Sequence, residues 1–268
     1  MSVVNVPTAL DRRRMLSYAA RHLAAAAIVA SGAIVAKSAP AHAGNGNGGG
    51  NGNGGGNCLL KGTLIATPTG SMKIEELSIG DLVITFDGKA RSVKFISAYS
   101  YKKSDSNRPW VDDVRPVVIR KSAISDNVPN RDLYVTRGHA LYLDGMLIPV
   151  FNLINGSTIA VDPAEHLSEL EYFHIKLESH DVVLAEGVPC ETLLTINENA
   201  KNFADYYRVH GVPVTEEQPY APVQSYYCRR SEIASRLRCA ASIVKEIRRP
   251  LDLVRDRLEA RGAALFLT

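Results

Sequence analysis

Apolar residues in the middle of the chain fall in short runs that end at turn residues. Residues 61–67 form one such run before a Pro-Thr-Gly turn, and residues 81–86 form another before Asp87-Gly88, a strong hairpin signal. Further runs of this kind are 92–97, 115–120, 132–136, 140–143, 146–150, 158–161, 172–178 and 181–185. About ten short strands with regular turns predict an all-β unit with antiparallel pairing.

The pattern changes to helical spacing near the C-terminus. Apolar residues recur at that spacing over 231–247, and Pro250 ends the run. A second helix is predicted from 251 to about 264, and a single turn is expected at 72–77. The sequence therefore predicts a β body followed by a partly helical extension.

Residues 1–43 have the order of a secretory signal. Basic side chains precede an apolar segment at 22–36, and the small-residue site Ala41-His42-Ala43 follows it. Arg12 and Arg13 resemble the pair of a twin-arginine export motif. Since 15 apolar residues are short for a membrane span, we expect a cleaved signal and export to the periplasm or the extracellular space. The alternative is a retained anchor or a buried helix.

Composition places the chain in the globular class, and its charge is uneven. The 268 residues are 46% hydrophobic and 22% charged, with a net charge of +3. Five of the 31 basic residues and one of the 28 acidic residues lie in 1–43, which leaves 26 basic and 27 acidic side chains. This balance gives no argument for a nucleic-acid partner. Residues 44–227 carry −6 and residues 228–268 carry +5, so the basic end docks on its own acidic body, docks on an anionic surface, or is a solvated helix face.

A tether divides the leader from the β unit. Residues 44–57 are nine glycines and five asparagines, a composition without side chains to bury. We therefore expect a signal peptide of the twin-arginine type at 1–43, a Gly/Asn-rich linker at 44–57, a β domain at 58–195 and a C-terminal extension at 196–268.

Three residues are candidates for acyl-transfer chemistry. Cys58 directly follows the tether, so we expect its thiol to be accessible. Thr136 and His139 fall where a strand ends, and a loop there can hold the imidazole beside another strand. A thiol, a base and a hydroxyl are the minimum set for acyl transfer. By spacing alone, the same residues also fit an ordinary structural role.

Four segments of the β unit form an ordered set. They are the opening Cys58-Leu59-Leu60-Lys61-Gly62-Thr63, the stretch 74–83, the block Thr136-Arg137-Gly138-His139 and the stretch 174–188. Together they span about 58–192, and they resemble the hedgehog/intein (Hint) autoprocessing family in its bacterial intein-like form. The resemblance implies a mainly β fold, the horseshoe-like, pseudo-two-fold antiparallel Hint domain, here with a helical tail.

The resemblance also implies that the chain acts on itself. In this family the first cysteine converts the preceding amide, here Asn57–Cys58, into a thioester by an N-to-S acyl shift. The histidine of the TxxH block, here His139, is expected to protonate the amide nitrogen, and Thr136 to orient the amide. Water or a small nucleophile would resolve the thioester. The reaction needs no cofactor, and each chain would react once.

The end of the domain departs from the intein pattern. Inteins that splice end in His-Asn, whereas residues 188–192 read VPCET. We therefore expect cleavage at the N-terminal side only, without full splicing. His180 aligns with a histidine that assists later steps, and the family's nearby Asp position is held by Phe173 or His174.

The cysteines and histidines also allow predictions about disulfide bonds and metal sites. Cys190, Cys228 and Cys239 can form disulfides in an exported chain, for example Cys228–Cys239. No His/Cys pair has zinc spacing, so no metal site is predicted, and His174 and His180 are interpreted as ordinary strand residues.

Two further functions stay open. One is a catalytically silent Hint-like β scaffold that acts as a secreted or surface binding module. The other is a conventional Cys/His hydrolase that acts on other proteins. No membrane span is expected after leader removal, and the protein partner is unassigned.

Overall fold

Antiparallel strands account for most of the regular structure. The computed structural model describes residues 57–103, 105, 108–196, 203–211, 217–225 and 249–266. Within these ranges there are 14 strands, three single 3-10 turns and two α-helices. The strands are β1 (Leu59–Leu60), β2 (Leu64–Thr67), β3 (Gly70–Lys73), β4 (Leu82–Ile84), β5 (Ala90–Ser92), β6 (Phe95–Lys102), β7 (Val117–Ile119), β8 (Leu133–Val135), β9 (Ala140–Leu143), β10 (Met146–Pro149), β11 (Ile159–Val161), β12 (Glu169–Lys176), β13 (Val182–Ala185) and β14 (Val188–Glu191). The 3-10 turns are Ile74–Glu76, Asp112–Val114 and Val150–Asn152, and the helices are α1 (Phe203–His210) and α2 (Pro250–Phe266).

The strands form two six-stranded sheets and a small hairpin. The first sheet has the order β11-β7-β8-β1-β12-β6, and the second has the order β10-β9-β14-β13-β2-β3. Strands β4 and β5 pair with each other. Every pairing between two of these 14 strands is antiparallel. The prediction of a mainly β, antiparallel fold is confirmed.

The sequence pattern finds most strands and misses four. The short turn expected at 72–77 is present as Ile74–Glu76. Strands β1, β3, β5 and β14 are not predicted because each lacks a run of alternating apolar residues. Strand β14 contains Pro189, which donates no ladder hydrogen bond, and ends in Glu191. All four of its residues are nevertheless buried.

The main core contains residues of both six-stranded sheets. Leu59 and Val135 contribute from the first sheet, and Leu141 and Val183 from the second; all four are fully buried. The alternation that predicts β2 is visible in its burial, since every second residue of Leu64–Thr67 is buried. Burial of apolar surface in this core is the main favourable contribution to folding.

Strand pairing decides which distant residues meet. In the first sheet β1 lies between β8 and β12, and Leu59 pairs with both Val135 and Phe173. In the second sheet Leu141 of β9 pairs with Cys190 of β14. The neighbours of these paired residues therefore converge: Cys58 meets the residues after β8, and the residue before β9 meets the end of β14.

Helix α2 packs against the same core. Leu251, Val254 and Leu258 lie on one helical face and are buried in the main core. Arg257 contacts Asp144 at 2.6 Å and Arg261 contacts Asp126 at 2.8 Å. The helix predicted from 251 to about 264 is confirmed, and of the alternatives for the basic end, α2 docks on the acidic body of its own chain.

A second part of the extension crosses the β domain. Residues 217–225, which we call the strap, form a parallel bridge between Val223 and Leu147. Glu217 of the strap accepts a 2.6 Å hydrogen bond from the buried Lys176 ammonium group. Asn152 donates to Ser225 at 2.9 Å. These contacts connect the strap to β10 at the edge of the second sheet and to β12 of the first sheet.

Several sequence expectations fall outside the described residues. These are the signal peptide, the linker except for Asn57, the helix at 231–247, and Cys228 with Cys239. No helix among the described residues combines the length and apolarity needed to cross a bilayer.

Candidate active site

The backbone of Cys58 is held by Thr136. The Cys58 N–H donates a 2.8 Å hydrogen bond to Thr136 Oγ1, and the Thr136 N–H donates a 2.9 Å bond to the Cys58 carbonyl. The two residues are 78 positions apart in sequence. They meet because β1 and β8 are neighbours in the first sheet. The hydroxyl therefore contacts the nitrogen of the Asn57–Cys58 peptide bond.

A turn after β8 places His139 beside the same peptide bond. The His139 N–H donates to the Thr136 carbonyl at 3.2 Å, and the His139 carbonyl accepts from the Val150 N–H at 2.9 Å. The imidazole is fully buried. The Asn57 carbonyl lies close enough to favour the protonated ring. The contact falls short of a full hydrogen bond, since neither ring nitrogen has a bonded partner among the described residues.

Thr136 and His139 thus flank the two halves of one amide. Thr136 contacts its nitrogen, and His139 lies near its carbonyl. A hydroxyl and an imidazole in these positions can exchange hydrogen bonds or protons with both ends of the amide.

The Cys58 thiol is buried. Only 2% of the residue is exposed, and it packs with Trp110, Leu170 and Tyr172. The prediction of an accessible thiol is wrong, because β1 begins directly after Cys58 and the pairing of this strand within the sheet buries Cys58. Burial raises the pKa of the thiol to about 12, so it is protonated at neutral pH. Cys58 and Cys190 are both free.

A second histidine lies against His139. The rings of His139 and His174 are 5.4 Å apart between centroids and tilted by 58°. Burial lowers the pKa of His174 to about 3, and the neighbouring His139 acts in the same direction. His174 is therefore neutral at physiological pH. Burial also lowers the pKa of His139, while Glu191 and the Asn57 carbonyl oppose that shift.

The carboxylate of Glu191 faces this histidine cluster. Its Oε1 accepts a 2.8 Å bond from the Ala140 N–H, and its Oε2 lies 3.7 Å from His180 Nε2. Burial acts to raise the pKa of Glu191, but the contact with His180, electrostatic interaction with the His139 and His174 rings and the Ala140 N–H together hold it below its usual value. Glu191 is therefore ionised although it is 7% exposed.

His180 is oriented from outside the β domain. Its Nδ1 accepts a 2.8 Å hydrogen bond from the backbone N–H of Tyr220, which belongs to the strap. In a neutral ring the proton then lies on Nε2, the nitrogen that faces Glu191. The strap therefore selects the tautomer of His180.

The structure brings the four predicted residues into one region. Cys58, Thr136 and His139 surround the Asn57–Cys58 bond, and His180 reaches the cluster through Glu191. Their roles stay predictions.

Two members of the cluster have no predicted function. His174 was interpreted as an ordinary strand residue; it lies on β12 as expected, but its ring contacts His139. Glu191 was not singled out, and its sequence signal is a single carboxylate at the end of the apolar stretch 188–190. Among the described residues, no group of three or more His, Cys, Asp or Glu side chains is placed to hold a metal ion.

A family model described as "Hint domain" matches residues 57–197, more than half of the chain. This chain belongs to the Hint domain family. Hint domains act on their own chain, and autoprocessing is the general activity of the family. The matched segment begins at Asn57, so it includes the peptide bond flanked by Thr136 and His139.

Three solved structures of inteins or intein-like domains are similar to this chain at low sequence identity. The MchDnaB-1 intein is 14% identical, with 50% of this chain and 99% of the intein covered, at a TM-score of 0.34. The bacterial intein-like domain from Clostridium thermocellum is 14% identical, with coverage of 52% and 100% and a TM-score of 0.36. The gp41-1 intein is 17% identical, with coverage of 51% and 98% and a TM-score of 0.32. No curated protein sequence matches the chain.

Proposed function

We propose that this Hint domain breaks its own Asn57–Cys58 bond by an N-to-S acyl shift. The observation that carries the proposal is the pair of contacts around one amide: Thr136 at its nitrogen and His139 near its carbonyl. An amide is a poor acyl donor until its nitrogen gains a proton and its resonance is lost. Groups fixed on both sides of the bond are suited to that task.

In the proposed reaction His139 carries a proton from the Cys58 thiol to the Cys58 nitrogen. Both Cys58 and His139 begin neutral, since burial raises the thiol pKa to about 12 and lowers the imidazole pKa. As Cys58 Sγ bonds to the Asn57 carbonyl carbon, its proton passes to the imidazole. The same proton then goes to the Cys58 nitrogen as the carbon–nitrogen bond breaks. The products are a thioester and a free α-amine, and no co-reactant is consumed.

Hydrolysis or a small external thiol then resolves the thioester. Water leaves Asn57 with a carboxylate and returns Cys58 to the free thiol. The residue after Glu191 is Thr192, whose hydroxyl accepts a 2.9 Å bond from the Asp181 N–H. It carries no side-chain amide that could cyclise, so the C-terminal extension stays attached and splicing does not occur.

The test uses the chain without residues 1–43 and with an affinity tag before Gly44. We expect mass spectrometry to show release of a fragment that ends at Asn57, as an acid in buffer or as a thioester adduct with dithiothreitol. Cys58→Ala and His139→Gln should abolish release. Cys190→Ala, which changes the other described free cysteine, should cleave as the parent does. A chain that stays intact with every nucleophile contradicts the proposal.

One observation favours a second function. Cys58 is only 2% exposed, which suits a silent β scaffold that serves as a binding module. The same experiment separates the two, because a scaffold stays intact whereas an autoprocessing domain loses its tag. A conventional hydrolase would instead turn over added protein substrates repeatedly.

We also propose that the chain is exported through its N-terminal leader. The support is the sequence of residues 1–43, with Arg12 and Arg13 ahead of the apolar stretch. Cell fractionation tests this. Replacing both arginines by lysine should retain the full-length precursor inside the cell, and unchanged export of that variant contradicts a twin-arginine route.

A further inference from the structure

Glu191 is a buried negative charge that interacts with three imidazoles. The rings belong to His139 in the turn before β9, His174 on β12 and His180 in the segment before β13; His180 Nε2 lies 3.7 Å from the carboxylate. Ionised carboxylates are expensive to bury unless they are paired or hydrogen-bonded. The position of this carboxylate, at the end of β14, therefore calls for a physical reason.

The hydrogen bonds of Glu191 provide only part of the stabilisation that its buried negative charge needs. Oε1 accepts from the Ala140 N–H at 2.8 Å, and Oε2 faces His180 Nε2 at 3.7 Å, beyond hydrogen-bond distance. His180 uses its other nitrogen, Nδ1, to accept the hydrogen bond from the Tyr220 N–H. His174 is neutral.

The remaining charged and titratable groups nearby are already engaged or neutral. Asp181, beyond His180, pairs with Arg91 at 2.7 Å. The adjacent Cys190 thiol is fully buried, and burial raises its pKa. In the strap, Glu217 pairs with Lys176 at 2.6 Å. His139 is thus the imidazole near Glu191 that the proposed reaction charges.

We propose that Glu191 is a positioning residue whose carboxylate stabilises His139 as an imidazolium while the proton passes from Cys58 Sγ to the Cys58 nitrogen. This inference rests on the proposed autoprocessing function. Glu191 forms no bond to the reacting atoms and exchanges no proton. Its Ala140 hydrogen bond fixes it next to the residue that follows His139, so the negative charge is in place before the reaction begins.

The physical effect is one of charge complementarity in a dry site. A positive charge formed on a fully buried ring has no water to solvate it. A fixed carboxylate supplies that stabilisation without reorganisation, in the way that a buried aspartate stabilises the imidazolium of a catalytic triad. Without it, the proton would have to leave the thiol for an uncompensated ring.

Glu191→Gln tests this with little change of shape, because the amide oxygen still accepts from the Ala140 N–H. We expect release of the N-terminal tag to slow by at least about tenfold. The midpoint of the pH–rate profile, which we assign to deprotonation of the His139 ring, should also move to lower pH. Loss of a nearby negative charge disfavours the protonated ring. Glu191→Asp should recover part of the rate.

Glu186→Gln is the matched control. Glu186 is a buried carboxylate of the same β13–β14 hairpin, but it pairs with Arg131 at 2.7 Å rather than with the histidines. We expect its pH–rate midpoint to equal that of the parent. A Glu191→Gln chain that is slower without any change of midpoint has lost structural support only, and that result overturns the inference.

A measurement without cleavage separates this inference from the proposed function. In the full chain carrying Cys58→Ala, NMR should show the His139 ring titrating at lower pH after Glu191→Gln. If Glu191→Gln does not fold, the reciprocal pair decides: the Glu191 carboxyl should titrate at higher pH in Cys58→Ala/His139→Gln than in Cys58→Ala. Absence of the coupling overturns the inference even if the parent cleaves. Its presence in a parent that never cleaves supports the electrostatic pairing while the proposed function fails.

Discussion

The N–H of Cys58 donates to the Thr136 hydroxyl across 78 residues of sequence, at 2.8 Å. Because this nitrogen belongs to the Asn57–Cys58 peptide bond, a single threonine holds the group that must leave if the bond is to break. The contact depends on β1 lying between β8 and β12.

Replacing Thr136 by Val should slow cleavage by about 10–100-fold, because the amide loses its hydroxyl partner. The fold should lose about 1–2 kcal/mol, the cost of one unsatisfied buried donor. Timed mass spectrometry gives the rate, and urea unfolding gives the stability. Thr136→Ser keeps the hydroxyl and should stay within a few-fold of the parent, about the scatter expected of a conservative change. Equal rates for the Val and Ser variants would contradict a role for the hydroxyl.

Replacing Tyr220 by Pro should release His180 from its fixed tautomer, since proline has no backbone N–H to donate to Nδ1. Ring nitrogen NMR shifts of His180 should change from the Nε2–H form to a mixture of the two neutral forms. Tyr220→Ala keeps the N–H and removes the ring, so it should retain the parental tautomer. A single unchanged tautomer in the proline variant would show that the strap does not orient this histidine.

Stability should fall as the pH drops below about 6.5, the usual pKa of an unfolded histidine. The folded pKa of His174 lies near 3, so between these values the unfolded chain binds a proton that the folded chain does not. His174 therefore contributes its full stabilisation above pH 6.5, and this is lost at up to about 1.4 kcal/mol per pH unit. Urea unfolding from pH 8 to pH 4 measures the slope.

His174→Asn should flatten that slope. The exposed His166 supplies the control, and His166→Asn should leave the slope as it is in the parent. If His174→Asn and the parent lose stability in parallel, the buried histidine is not the cause.

Helix α2 should be part of the cooperative fold. Leu258 is 1% exposed in the main core, and Leu258→Ala should cost about 2–5 kcal/mol in the free energy of unfolding. Leu253 lies on the same helix but is 51% exposed, so Leu253→Ala should change stability by less than about 0.5 kcal/mol. Denaturant unfolding of both variants checks this, and a similar small effect at the two positions would mean that α2 detaches before the core unfolds.

Much of the architecture can be predicted from local pattern. The β-branched runs with Asp-Gly turns predict the antiparallel strands, and the helix predicted from 251 to about 264 corresponds to α2. Strand β14 is missed because its signal is not local. Val188–Glu191 carries a proline and a carboxylate, and it forms a strand because β13 and β9 lie on either side of it.

The sequence by itself determined the class of the fold and the order of its segments, because strand periodicity is a property of neighbouring residues. Its resemblance to the Hint family predicted the candidate set Cys58, Thr136, His139 and His180. The sequence did not determine the environment of those side chains. Tertiary packing decided that the Cys58 thiol is buried, and it decided that Glu191 faces the histidines. Burial and charge depend on which distant strands are adjacent, and a carboxylate 52 positions after His139 acquires its partners only when β9 and β14 pair.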